Sequence, residues 1–268
     1  MPAPRCRTGQ PAHRVRHAKY LPQAAGVLTL GLWAALALLA YTVKGFGGFG
    51  DALVVMPVLA VLYSPRVALG TSALLDLVVG VGFLAVLGFP TGLQLARLRA
   101  MAGYMVVGTV VGSLGAALVP RRVLLFLVAL VVVVLAVRLL RPSPASSGLP
   151  SRVALQVSAL LAGVSGGLVG VSGPFLVAGV ARLGKAEMRQ LLVAIFLVEA
   201  LVKTVVYAAT ATIDGQALRL ATLAAPAVVV GLVVGAWLHA HASQAQFTRA
   251  LGFLLLALAA APLAAALA

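Results

Sequence analysis

The chain has 268 residues, of which 62% are hydrophobic and only 9% charged, and it carries a net charge of +15; its mean hydropathy is +1.12. This usage excludes a water-soluble domain and marks an integral membrane protein. The positive charge reads mainly as membrane topology.

The first 23 residues form a basic tail holding Arg5, Arg7, Arg14, Arg16 and Lys19 and no acidic residue, which by the positive-inside bias places the N-terminus in the cytoplasm. A nucleic-acid arm or an organelle transit peptide would also be basic, but no nucleic-acid partner is expected. Cys6 is the single cysteine and the four histidines are scattered, so neither a disulfide, a soft metal site nor any other cofactor is indicated. The uncharged run at 24–43 is longer than the apolar core of a cleaved signal peptide and is taken as a membrane segment.

Further uncharged runs lie at 77–96, 100–120, 153–181, 220–238 and 250–268, and most reach the roughly 20 residues that span a bilayer as a helix. A barrel would alternate apolar and polar residues instead. The predicted fold is therefore all-α, a polytopic helix bundle of about eight elements: 24–63, 67–90, 100–119 and 122–140, a Pro- and Ser-containing linker at 141–152, then 153–183, 188–213, 219–240 and 247–268. The loops are too short to hold a soluble domain.

The two halves, 24–140 and 153–268, read as an internal repeat. Gly48-Phe49-Gly50-Asp51 falls on Gly170-Val171-Ser172-Gly173, Gly108 and Gly112 fall on Gly231 and Gly235, and Asp76 falls on Glu199, all at an offset of 122 or 123. The Gly108/Gly112 and Gly231/Gly235 pairs predict close helix packing. The denser clusters, Gly45 to Gly50 with Gly47 and Gly48, and Gly163 to Gly173 with Gly167 and Gly170, predict helix breaks inside the membrane. Glycine ends a helix there and leaves peptide groups that protein, water or ligand must satisfy. A half-helix N-terminus turned towards such a break would offer unpaired N–H groups to an anion. Parallel and inverted repeats both fit this pattern.

The pattern GFGGFGDALVVMP with a downstream Ala68-Leu69-Gly70-Thr71-Ser72, followed in the second half by GVSGGLVGVSGP and Arg189, resembles the sulfite exporter TauE/SafE family over residues 24–268. The resemblance implies a transporter of two similar halves that moves sulfur-containing anions such as sulfite or organosulfonates across the bacterial inner membrane, mostly outward. Where the family pattern usually continues with glycine, this chain has Asp51 and Ala52, which puts a negative charge beside the implied anion path.

Ionisable groups within spans are costly and mark functional positions with a partner to be named. Five qualify: Lys44, Asp51, Asp76, Glu199 and Lys203. Glu199 and Lys203 share a helix face and can neutralise each other, either to fix packing or to take part in transport. Lys44 is an anion contact if the break is deep and a snorkelling side chain if it is shallow. Asp76 and Glu199, at equivalent places, could carry a proton in a coupled cycle, with H+ or Na+ as the coupling ion. Arg189 suits an oxyanion through its planar fork, or it anchors an interfacial loop with Arg182 and Lys185. Thr71 and Ser72 could donate to the anion or bond back to their own helix.

Two other classes compete. Gly-Val-Ser-Gly occurs at 163–166 and 170–173, as a serine nucleophile would require, but no histidine is placed to activate Ser165 or Ser172, so no enzyme is expected. A passive anion channel or a structural membrane subunit would share the composition. The partners expected are therefore the lipid bilayer and a small anion, held by Lys44, Gly50, Ser172, Gly173 and the neighbouring groups named above.

Overall fold

In the computed structural model, the described residues are 23–140, 151–180, 183, 185–241 and, beyond these, 253, 256–258, 260 and 263–266. The basic tail with Cys6, most of the 141–152 linker, Arg182 and much of the expected last helix lie outside the described residues.

Every regular element among the described residues is an α-helix: α1 Gln23–Gly47, α2 Asp51–Leu62, α3 Pro65–Leu87, α4 Gly92–Leu118, α5 Arg121–Leu140, α6 Arg152–Val169, α7 Gly173–Val180, α8 Lys185–Ala209 and α9 Gly215–His241. Six of them are long and apolar enough to cross a membrane. The chain is a multi-pass membrane protein. Valines and leucines such as Val78, Val86, Leu118, Val205 and Val233 stand exposed on the outside of the bundle, as lipid contact requires.

The helix ends follow from local chemistry. The Ser64 Oγ accepts from the N–H of Val67, with Pro65 in the first turn where its missing N–H costs nothing. Ser151 caps α6 through the N–H of Ala154. Asp214 accepts from Ala217 N–H at 2.7 Å, which starts α9 four residues earlier than the apolar run suggested. Helix α4 likewise begins at Gly92 rather than at residue 100, because its first turns carry Arg97 and Arg99 without breaking the helix. Helix α8 ends at Ala209 rather than 213: the N–H groups of Thr212 and Ile213 fold back onto the carbonyl of Tyr207, and Ala211 takes a positive φ.

Helix α4 packs most extensively against α6, α1 against α9, and α3 lies against α8. Glycines set the first two contacts. A Cβ on Gly108 or Gly112 would strike the backbone carbonyl of Leu160 or Val164, and one on Gly231 or Gly235 that of Leu38 or Thr42, so these helices touch backbone to backbone. The same crossings take up glycines that the sequence had placed in breaks. Gly45 lies within α1, 2.6 Å by its Cβ position from Leu232 O, while Gly163 and Gly167 lie within α6, each 2.6 Å by the same measure from Met105 O and Thr109 O. The second break is correspondingly shorter than expected and spans only residues 170–172.

Candidate functional site

Both breaks are glycine turns. After α1, Gly48 donates back to Lys44 O at 2.7 Å and Gly50 takes φ 106°, a left-handed conformation natural to glycine, before α2 begins at Asp51. After α6, Gly170 donates to Gly166 O at 3.0 Å with φ 80°, and α7 begins at Gly173. The two turns abut. A Cβ on Gly173 would lie 2.8 Å from the Phe49 ring, and one on Gly170 2.8 Å from the Met56 sulfur. The N-termini of α2 and α7 thus open onto one shared cavity of about 30 Å³.

Charged side chains from three further directions meet there. Lys44 Nζ lies 3.0 Å from Asp51 Oδ2 and in close contact with Asp76 Oδ1. Lys203 Nζ lies 3.2 Å from Asp76 Oδ2 and 3.2 Å from Glu199 Oε1. The result is an alternating chain Asp51, Lys44, Asp76, Lys203, Glu199, with Asp76 held between two ammonium groups near the middle of α3. The Ser172 hydroxyl donates to Glu199 Oε2 at 2.7 Å, which ties the far end of the chain to the second break. The Tyr41 ring lies 5.5 Å from Lys44 Nζ. All five ionisable side chains are at most 12% exposed, and charges so buried persist only when paired. Three of the five acidic residues in the whole chain are gathered here.

Of the residues singled out in the sequence, Lys44, Gly50, Asp51, Asp76, Gly170, Ser172, Gly173 and Glu199 line the cavity, and Lys203 stands behind Asp76. Others are placed elsewhere. Gly47 ends α1, and Gly48 lies against the Arg189 side chain. Thr71 donates to Ala217 O at 3.4 Å and Ser72 packs on the Met56 sulfur at 3.7 Å, so both hydroxyls serve helix packing. Gly167 is covered by Thr109 and Ser113 of α4. Arg189 donates to Gly45 O at 3.0 Å and lies over the Phe83 ring, bracing the first break from the side rather than from the cavity. Ser165 donates to Val171 O at 2.6 Å, fixing the second turn. Among the described residues, neither Ser165 nor Ser172 is bonded to a histidine: His239 meets Phe46 O and His241 meets Trp237 O.

Pro174, which follows the second glycine cluster, also lines the cavity, as do Phe49, Ala52, Leu53, Val171 and Phe196; Phe196 carries no signal in the sequence that separates it from other apolar residues. Tyr207, whose hydroxyl donates to Gly167 O at 2.5 Å, sits one helical turn beyond Lys203, and that spacing was readable.

The family model for the sulfite exporter TauE/SafE matches residues 33–261. The chain belongs to the sulfite exporter TauE/SafE family. No curated protein and no solved structure matches it. Membership makes this a membrane transport protein, and in this TauE/SafE chain the matched region holds both breaks, all five buried charges and the two glycine crossings.

Proposed function

We propose that the protein is a secondary transporter of a small sulfur-containing anion, such as sulfite or an organosulfonate, and that it exports this anion across the bacterial inner membrane, its N-terminus in the cytoplasm. The observation that carries the reading is the convergence of two helix N-termini and the Lys44 ammonium on one buried cavity. Unpaired N–H groups at such ends and a nearby cation are what an oxyanion needs in a place without bulk water.

The same geometry favours a carrier over a channel. The cavity is about 30 Å³, room for a couple of water molecules, so an anion moves through only if the surrounding helices rearrange. A two-fold relation between residues 24–140 and 153–268 supplies the moving parts. In its favour, the α1 to α9 crossing repeats as α6 to α4, with Leu38 O and Thr42 O taking the places of Leu160 O and Val164 O at the same offset of 122. Alternating access then rocks one pair of helices against the other around the breaks.

The test is uptake and counterflow of labelled sulfite and labelled organosulfonate into liposomes holding the purified protein, with Lys44→Ala as control. Saturable flux in the wild type that falls at least tenfold in the variant supports the reading. Absence of flux for both anion classes overturns it.

A further inference from the structure

The charge balance of the cavity bears on what travels with the anion. With every group ionised, three carboxylates face two ammonium groups, a formal excess of one negative charge before any substrate arrives. An incoming anion would double that excess in a buried, poorly solvated place, where each uncompensated charge is costly. An anion seat built around a net negative cluster therefore needs a compensating cation at the moment of loading.

The three carboxylates are not equally bound. Asp76 is held by both lysines and Asp51 by Lys44 at 3.0 Å. Glu199, like Asp51, ends the alternating chain and meets a single lysine. Its Oε2 accepts the Ser172 hydroxyl on the cavity side, while its Oε1 is buried against Gly166 of α6, 3.2 Å from Lys203 Nζ yet out of hydrogen-bond alignment with any partner among the described residues. Gly166 of α6 leaves the room this carboxylate occupies, since a Cβ there would collide with Glu199 Oε1. The other titratable groups around Glu199 are already engaged: Lys203 with Asp76, Lys44 with Asp51 and Asp76, and Tyr207 with Gly167 O.

We infer that the protein takes up one proton with each monovalent anion it loads, and that Glu199 receives it. The inference rests on the anion-transporter reading above. The proton adds to Glu199 Oε2, whose new O–H donates to Ser172 Oγ and so reverses the present hydrogen bond. The Ser172 hydroxyl hydrogen, no longer held by the carboxylate, turns to the anion at the N-terminus of α7. The cluster then carries the same net charge loaded as empty, and proton and anion cross together. Export runs when the cytoplasmic anion pool outweighs the opposing proton gradient.

The experiment uses the full chain in liposomes loaded with a pH-reporting dye, and labelled methanesulfonate, an anion that stays ionised and brings no proton of its own. Labelled sulfite is run in parallel. With the outside one pH unit more acidic, the wild type should concentrate methanesulfonate inside about tenfold at equilibrium. The interior should gain one proton per anion, and neither result should change when the membrane potential is clamped. Glu199→Gln, which keeps the side-chain size, should leave the inside and outside concentrations equal whatever the pH gradient. If that variant does not fold, the proton count in the wild type decides alone. Flux driven by membrane potential or by a sodium gradient, with no proton moving, overturns the inference and leaves the transporter reading standing. No flux of either anion overturns both.

Discussion

Gly166→Ala isolates the demand that the Glu199 carboxylate places on its neighbour. A Cβ on Gly166 would overlap Glu199 Oε1 and lie 2.9 Å from both Glu199 Cδ and Ser172 Cβ. Ser172 cannot retreat easily, because its carbonyl accepts the N–H groups of Phe175 and Leu176 that begin α7. The carboxylate must therefore swing away, losing the 2.7 Å hydrogen bond from Ser172 and the 3.2 Å approach of Lys203. Overpacking costs about 1–3 kcal/mol and a lost hydrogen bond to a charged group about 1.5–3 kcal/mol, partly offset by about 1 kcal/mol of helix propensity gained by alanine. The expected net destabilisation is about 1.5–5 kcal/mol. Gly82→Ala, within α3 and with nothing within 4 Å of its Cβ position, is the matched control and should be neutral or slightly stabilising. Thermal melting of the detergent-solubilised proteins, followed by fluorescence of Trp33 and Trp237, measures the difference, and sulfite uptake measures the functional cost. Adding Glu199→Asp to Gly166→Ala shortens the carboxylate by one methylene and should recover part of the lost stability. If Gly166→Ala melts together with Gly82→Ala, the packing argument for the second break is wrong.

Gly235→Ala should separate α1 from α9, because the new Cβ meets Thr42 O and lies 2.8 Å from Gly45 Cα and Phe46 N, backbone atoms that cannot turn aside. A drop in melting temperature well beyond that of Gly103→Ala, whose Cβ position is open, is the expected result. Thr71→Val should leave the apparent affinity for anion unchanged, since the hydroxyl is spent on Ala217 O outside the cavity; a several-fold rise in the half-saturating concentration would place Thr71 on the anion path after all. Arg97→Ala should cost less than about 1 kcal/mol by the same melting assay, because its partner Glu187 is 52% exposed at 3.4 Å.

Much of the candidate site could be read from the residues themselves, for a physical reason. Lys44, Asp51, Asp76, Glu199 and Lys203 stand out because lipid tolerates few charges, so each one in an apolar run declares itself. What could not be read was their order. Asp76 bridges Lys44 and Lys203, which lie 32 and 127 positions away in sequence, and that bridge exists only because α1, α3 and α8 converge. Glycine was harder to interpret. Gly163 and Gly167 have the same four-residue spacing as Gly108 and Gly112, which is the signature of packing, but their nearness to Gly170 and Pro174 made them look like part of a break. The partner helix decides between the two meanings, and α4 supplies it.

By itself the sequence determined that the chain lives in a bilayer as helices, because long apolar runs leave the backbone no other way to satisfy its peptide groups. It also determined the family, and that glycine turns would interrupt two of those helices. Only the tertiary structure decided that the two turns abut, that the N-termini of α2 and α7 share one cavity, and that Arg189, Thr71 and Ser165 brace the site instead of lining it. Burial, charge pairing and backbone contact between helices are set by packing across more than a hundred residues of chain, and periodicity along a single helix does not encode them.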